Sequence, residues 1–82
     1  MICLLPSASS YDESDLERLL TTNVCEQCNL VGADLSGHNL RGANLYRARL
    51  NHADLTGADL SQANLPGVHF WNANLRNSIL KG

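Results

Sequence analysis

The sequence predicts a small all-β solenoid with square coils and a short helix at its N-terminal end. Three features of the 82-residue chain carry this prediction. A leucine or another large apolar residue recurs every five residues, a small residue lies two positions before it, and Asp or Asn usually stands directly before it. A period of five fits neither an α-helix, with a period of 3.6, nor a strand, with a period of 2.

The large apolar residue defines position i of each five-residue unit and is expected to form the core. These predicted core rows are Leu30, Leu35, Leu40, Leu45, Leu50, Leu55, Leu60, Leu65, Phe70, Leu75 and Leu80. Because Asp, Asn and Gly favour turns, the chain is expected to turn a corner in each unit and to close a square after four units. Squares stacked at about 4.8 Å would pair the backbone of one coil with the next.

The run "CNLVGADLSGHNLRGANLYRARLNHADLTGADLSQANLPGVHFWNANLRNSILKG", residues 28–82, resembles the A-(D/N)-L-x-x repeats of pentapeptide repeat proteins. The resemblance implies a right-handed quadrilateral β-helix, and eleven units at four per coil give about 2.75 coils. Seven departures from the repeat are expected to bend or widen the column locally without breaking it. They are His38, Val68 and Ser78 at position i−2, Arg49, His69 and Ile79 at position i−1, and Pro66.

Residues 11–27 are predicted to form a helix and a junction that cap the first coil. In "SYDESDLERLLTT" the apolar residues Leu16, Leu19 and Leu20 recur at helical spacing. Their shared face is expected to lie over the first coil of the column. Two pairs have the spacing of a capping box, "SYDE" at residues 10–13 and "SDLE" at residues 14–17.

The C-terminal end of the column has no comparable cap in the sequence. The last coil, residues 63–82, is therefore expected to expose unpaired backbone groups, which invite pairing with another chain. We expect a homodimer joined through this C-terminal coil, because a symmetric contact closes after two copies.

Residues 1–10, "MICLLPSASS", are predicted to be a disordered tail or the remnant of an export signal. The segment has a short apolar run followed by small residues but lacks a basic start. The chain holds no run of 18 apolar residues. A soluble protein is expected, either cytoplasmic or, if residues 1–10 are a signal remnant, exported to the periplasm or a lumen.

Cys25 and Cys28 form a C-x-x-C motif for which three interpretations stay open. They are buried structural thiols or a local disulfide where the helix meets the first coil. Alternatively, they form a redox-active pair, although the strand–helix context of such motifs is missing. A metal site is the third interpretation, although zinc needs four ligands and there is no second cysteine pair.

Several outward-facing residues are candidates for a partner-binding patch because Trp, Tyr and Arg are enriched in interface hot spots. They are Tyr46, Arg47, Arg49, His52, His69 and Trp71. His38 falls at an inward position and is expected to serve in packing. No nucleophile–base pair emerges and leucine and alanine are expected to fill the column, so we predict neither a pocket nor an enzyme.

The sequence thus favours a non-catalytic structural or protein-interaction module with an unknown protein partner. No cofactor, metal, small-molecule substrate, nucleic acid or membrane partner is predicted. Thiol redox or metal binding through Cys25 and Cys28 is one alternative. Another is suggested by the resemblance, since some pentapeptide repeat proteins mimic DNA and bind topoisomerases. Residues 28–82 carry a net charge of +2, whereas mimicry of a duplex needs a long acidic rod.

Overall fold

The computed structural model describes residues 11–81, so the predicted tail or signal remnant, residues 1–10, lies outside the described part. One helix, α1 (Glu13–Thr22), precedes a column of stacked coils. Throughout the described part of this column, the coils are joined by isolated parallel β-bridges rather than by extended strands. The structure is therefore a β-helix solenoid with less regular strand than the predicted all-β fold, because each face pairs through a single residue before the chain turns.

Every bridge joins two residues that lie 20 positions apart, which confirms the square register predicted from the five-residue period. The bridged residues occupy position i−1 and form four stacked faces. These are Val24–Asn44–Asn64, Asn29–Arg49–His69, Asp34–Asp54–Asn74 and Asn39–Asp59–Ile79. The ladder already begins at Val24, inside the segment that the sequence assigned to the junction.

The corners of the column are tight turns with one left-handed residue each. In the first full turn the N–H of Ala33 donates to the carbonyl oxygen of Leu30 at 3.1 Å, and the intervening Gly32 has a φ of 75°. The same positive φ recurs at position i+2 of every unit from Gln27 to Asn77. A positive φ at the third turn residue alone is the geometry of a type II turn, which favours Gly or Asn there.

The Asp and Asn residues at position i−1 stabilise these corners through their side chains. The carboxylate of Asp34 accepts the backbone N–H of Ser36 at 3.1 Å and its hydroxyl at 2.7 Å. Ser61 donates in the same way to Asp59. These hydrogen bonds, led by those from the serine hydroxyls, hold the pKa of Asp34 and of Asp59 below its ordinary value.

The core rows are fully buried in the lower two coils and open in the last. The central leucines from Leu30 to Leu60 are at most 1% exposed. In the last coil Leu65, Phe70 and Leu75 are only half-buried, since no further coil of the described chain covers them. Leu80, predicted to be core, is 50% exposed for the same reason.

Helix α1 begins at a different cap from the two that the sequence suggested. Asp12 is the N-cap, and its carboxylate accepts the N–H groups of Ser14 at 2.9 Å and Asp15 at 3.4 Å. Leu19 is buried, but Leu20 is 46% exposed, so the predicted three-leucine face is wrong at that position. One residue turns a helix by about 100°, which carries Leu20 away from the surface that Leu19 covers.

The helix stands where a preceding coil would otherwise pair with the first one. The N–H of Asn29 donates to the carboxylate of Asp15 at 2.9 Å, and the carbonyl oxygen of Asn29 accepts from Asp12 at 3.0 Å. At the helix end, the carbonyl oxygen of Asn23 accepts the N–H of Asn44 at 2.9 Å. α1 therefore satisfies backbone groups of the column as well as covering its apolar end.

Candidate functional site

The two cysteines of the C-x-x-C motif are joined to each other beneath α1. Cys25 and Cys28 form a disulfide, with 5.3 Å between their Cα atoms, and both side chains are buried. The Sγ of Cys25 lies 3.1 Å from the carbonyl oxygen of Asp15. A disulfide sulfur carries no hydrogen, so this is a packing contact rather than a hydrogen bond. The geometry corresponds to the local structural disulfide, and burial keeps the sulfur atoms from the contact with a partner that redox exchange requires.

The six residues of the predicted partner patch lie on one face of the column and at its adjoining corners. We call this surface the 49/69 face, which consists of Tyr46, Arg47, Arg49, His52, His69 and Trp71. Its centre is the parallel bridge between Arg49 and His69, one coil above the other. The structure therefore brings together the residues that the sequence proposed for the patch.

Two adjacent corners of the 49/69 face lack the side-chain bond that stabilises most other corners. On the same face in the coil below, the side chain of Asn29 accepts the N–H of Val31 at 3.2 Å. Arg49 and His69 replace such residues, and neither side chain accepts the N–H two residues on. Natural proteins break local structural rules mainly at functional sites, where another requirement dominates.

Asn51 is a functional candidate that the sequence interpretation missed. Its side-chain oxygen accepts the N–H of Trp71 from the coil above at 3.1 Å, in place of the bond that His69 does not make. Within residues 11–81 the N–H of Asn51 itself has no acceptor, because Arg49 stands where an Asp or Asn would accept it. The loss of Asp or Asn at two positions 20 residues apart was the signal in the sequence that could have found Asn51.

The aromatic residues of the 49/69 face are held in place by their neighbours. Trp71 is 72% exposed and meets the ring of His52 edge to face, with 6.4 Å between ring centroids. The guanidinium of Arg47 lies 5.3 Å from the centre of the Tyr46 ring, a cation–π contact. His52 and Arg47 both have a positive φ, of 62° and 58°, which is costly for residues with a Cβ.

Gly67 lets the side chain of Arg47 lie across the coil above it. A Cβ atom on Gly67 would come within 2.9 Å of the Cγ of Arg47. The absence of a side chain at this corner therefore leaves room for the arginine stem. Arg47 is thus positioned by packing from both coils and by the Tyr46 ring.

A surface depression of about 240 Å³ opens on the upper half of this face. It is lined by Asn51, His69, Phe70 and Trp71. The expectation of no pocket was wrong here, because the depression forms outside the filled column, between side chains of two coils. Phe70, counted in the sequence only as a core residue, packs against the core and is also one of the residues that line the depression.

The charge of the 49/69 face is one-sided. The stacked stretches 46–52 and 66–72 contain two arginines, two histidines and no acidic residue. Among residues 11–81, no side chain forms a hydrogen bond or an ion pair with the guanidinium of Arg49. An exposed, unpaired cation beside an exposed aromatic ring is suited to bind an anionic group of a partner.

Other candidates give weaker indications of chemistry. His38 is half-buried at its inward position, in agreement with a packing role, and its Nδ1 is buried without a hydrogen-bond partner among residues 11–81. Residues 11–81 contain no group of three or more side chains that could hold a metal ion. In the same part of the chain, no helix is both long and apolar enough to cross a membrane.

Comparison with protein-family models identifies the repeat. The family model described as pentapeptide repeats matches in 8 copies, over residues 24–62 and 43–82. No curated protein matches the chain. A similar solved structure is the pentapeptide repeat protein Rfr23 from the cyanobacterium Cyanothece 51142, with 29% identity over 70% of this chain and 46% of that chain and a TM-score of 0.40. This chain thus spans about half the length of Rfr23.

A second similar structure is that of alr5209, a pentapeptide repeat protein from Nostoc PCC 7120. It is 24% identical, with a TM-score of 0.41, over 92% of this chain and 79% of that chain. Neither structure's description names a ligand or a partner.

Proposed function

The chain belongs to the pentapeptide repeat family, and we propose that it is a protein-interaction module whose partner docks on the 49/69 face. Members of this family are generally non-catalytic structural or interaction modules. In this proposal the column is a right-handed quadrilateral β-helix of about 2.75 coils, as the family pattern implies. Its role is to hold outward-facing side chains in fixed positions on a rigid surface.

The observation that carries the proposal is the replacement of Asp or Asn by Arg49 and His69 in two successive coils of one face. Both residues give up the corner bond that Asn29 makes in the coil below. A column selected only for stability would keep Asp or Asn at these two positions. Trp71, two residues after His69, is 72% exposed and contacts the ring of His52, which supports selection for binding at this surface.

The alternative functions have less support from the same residues. DNA mimicry needs a long acidic surface, whereas the 49/69 face is basic and residues 28–82 carry a net charge of +2. Thiol redox chemistry needs an accessible sulfur, but Cys25 and Cys28 are 0% and 2% exposed.

A second copy of the chain is a further proposed partner, at the open end of the column. In the lower coils the N–H groups at positions i and i+2 donate to the coil above, as Leu50 does to His69 at 2.8 Å. The equivalent groups of the last coil, such as those of Phe70 and Leu75, have no acceptor within residues 11–81. Together with the half-buried apolar rings and chains there, this edge favours a homodimer, which sedimentation at tens of micromolar would test.

The disulfide supports a location in an oxidising compartment. Disulfides persist in exported and lumenal proteins and are rare in the reducing cytosol. We therefore propose that the chain is exported rather than cytoplasmic. Alkylation of the protein isolated directly from cells, followed by mass measurement, would find Cys25 and Cys28 unmodified; labelling of both would contradict this location.

The interaction proposal is tested by quantitative capture with matched variants. Immobilised wild-type protein, Trp71→Ala and Arg76→Ala are exposed to extract of the source cells, and bound proteins are quantified by mass spectrometry. Arg76 is exposed on another face and serves as the control. A protein that is captured by the wild type and by Arg76→Ala but lost with Trp71→Ala supports the proposal. Identical protein profiles for all three would contradict it.

A further inference from the structure

We propose that the 49/69 face binds an acidic peptide segment through one apolar or aromatic anchor side chain. This inference rests on the proposed interaction function and adds the chemistry of the partner. Two independent features carry it, the size of the depression beside Trp71 and the charge that surrounds it.

The depression matches one side chain rather than a whole small molecule. Pockets for drug-sized ligands measure about 300–1,000 Å³, and this one measures about 240 Å³. Three of its four lining residues, His69, Phe70 and Trp71, carry rings, and Asn51 is the fourth. An aromatic or branched side chain could pack against these rings, while the amide of Asn51 lies within reach of a peptide group.

The surrounding charge selects an acidic partner. Arg49 pairs with His69, which lines the depression, and Arg47 lies at the adjoining corner. Residues 46–52 and 66–72 hold no carboxylate. The acidic groups beneath this face already accept hydrogen bonds, Glu26 from Asn44 at 2.8 Å and Asp15 from Asn29 at 2.9 Å. The stem of Arg47 packs against Gly67 in the coil above, and its guanidinium lies 5.3 Å from the centre of the Tyr46 ring. Glutamate or aspartate residues on either side of the anchor would pair with these arginines, whereas lysine residues would be repelled.

The same features favour a peptide over single-stranded nucleic acid. Nucleic-acid sites combine a basic groove that follows several phosphates with a series of stacking rings, at about 4–16 nucleotides per module. The 49/69 face has two arginines and one tryptophan, Trp71, which is 72% exposed, beside two exposed histidines. These side chains are enough to bind one anchor residue and its immediate neighbours, but they are too few to bind a series of consecutive phosphates.

Trp71 is the only tryptophan in the chain, so its fluorescence reports on the site directly. The wild-type protein is titrated with the blocked peptide Glu-Glu-Phe-Glu-Glu. The controls are Lys-Lys-Phe-Lys-Lys, in which the charge is inverted, and Glu-Glu-Gly-Glu-Glu, in which the anchor is removed. We expect saturable binding of the first peptide with a Kd of about 10–1,000 μM, weakened by added salt. Both control peptides should bind at least about tenfold more weakly.

Matched variants assign the binding to this face. We expect Arg49→Gln to weaken binding of the acidic peptide about three- to tenfold, while Arg76→Gln, an exposed arginine on another face, leaves it unchanged. Calorimetry with Trp71→Ala should show loss of binding. Any one of four results would overturn the inference. The charge-inverted peptide binds as well as the acidic one, or the two arginine variants have equal effects. Alternatively, oligothymidylate binds more tightly than the acidic peptide, or the acidic peptide does not bind at 1 mM.

The capture experiment separates failure of this inference from failure of the proposed function. If no acidic peptide binds but a protein is still captured in a Trp71-dependent way, the interaction function stands and the assigned partner chemistry is wrong. If both experiments fail, the 49/69 face is not a binding surface.

Discussion

Replacement of Leu55 by alanine is expected to destabilise the column strongly, because Leu55 lies in the middle of a stacked row. Its side chain is 0% exposed, with Leu35 in the coil below and Leu75 in the coil above. The coils are pinned to each other by backbone hydrogen bonds on every face, so the cavity left by the removed carbons cannot collapse easily. For such a site we expect a loss of about 3 kcal/mol in the free energy of unfolding, within the range of about 2–5 for buried Leu→Ala changes.

The same change at Leu75 provides the matched control within one row. Leu75 is half-buried, since the described chain has no coil above it. Burial of a leucine is worth about 1.5–3 kcal/mol in full, so we expect Leu75→Ala to cost about 1 kcal/mol. A domain of this length has a total stability of about 4–12 kcal/mol, which makes the difference between the two variants easy to measure.

Equilibrium urea unfolding followed by circular dichroism measures both values. Equal slopes of the transitions would show that the two variants unfold the same structure, so that their midpoints can be compared. The more drastic Leu55→Asp buries a charge in the row and should prevent folding. Equal losses for the two alanine variants, or a folded Leu55→Asp protein, would refute the stacked-row arrangement.

Three further predictions concern single features of the column. Gln62 has a φ of 64°, so Gln62→Gly should raise the free energy of unfolding by about 0.5–1 kcal/mol in urea unfolding. Gly37→Ala should lower it, because Gly37 has a φ of 67°, although an added Cβ would meet nothing within 4 Å among residues 11–81. A gain from Gly37→Ala would contradict the turn geometry. Because the Nδ1 of His38 is buried without a partner among residues 11–81, His38→Ala should raise the free energy of unfolding by about 1 kcal/mol and the thermal midpoint with it. A lower midpoint would contradict this reasoning and would show that the ring stabilises the column by packing. The pKa of Asp34 and of Asp59 is lowered in the folded state. The stabilisation that these carboxylates provide is therefore present above the ordinary pKa of about 3.9 and is lost as pH falls through the lower folded values. The double variant Asp34→Asn with Asp59→Asn should flatten the decline of the free energy of unfolding on the acid side, and an unchanged decline would rule out their contribution.

Most of the fold could be predicted from the sequence because the repeat acts locally. A large residue, a small residue and a turn-forming Asp or Asn recur in each unit, and each corner is completed within the unit by hydrogen bonds such as that from Ala33 to Leu30. The start of the ladder was harder to place, since Val24 pairs with Asn44 without the Asp or Asn that marks the position elsewhere. The helix cap was also missed because Asp12 competes with serines at equally suitable positions, and only the packing of α1 on Asn29 selects it.

The outward-facing residues of the candidate site could be proposed from the sequence, but Asn51, the part played by Phe70 and the shape of the site could not. The sequence placed Arg49, His69 and Trp71 on one face because the period of 20 residues stacks them. The depression depends on contacts between coils, such as the hydrogen bond from Trp71 to Asn51, and on the partial burial of Phe70 in the last coil. These are properties of side-chain packing, which a repeat pattern does not specify.

The most direct test of the 49/69 face as a binding surface is the stability of Arg49→Asn in urea unfolding. If Arg49 is kept for binding, the asparagine introduced at position 49 should accept the N–H of Asn51, as Asn29 does for Val31 in the coil below. The free energy of unfolding should then rise by about 0.5–1.5 kcal/mol, the usual net value of one hydrogen bond. An unchanged or lower free energy of unfolding would contradict the view that Arg49 is kept for binding. That result would show that Arg49 stabilises the column itself, so that no binding partner is needed to explain why an arginine stands at this position.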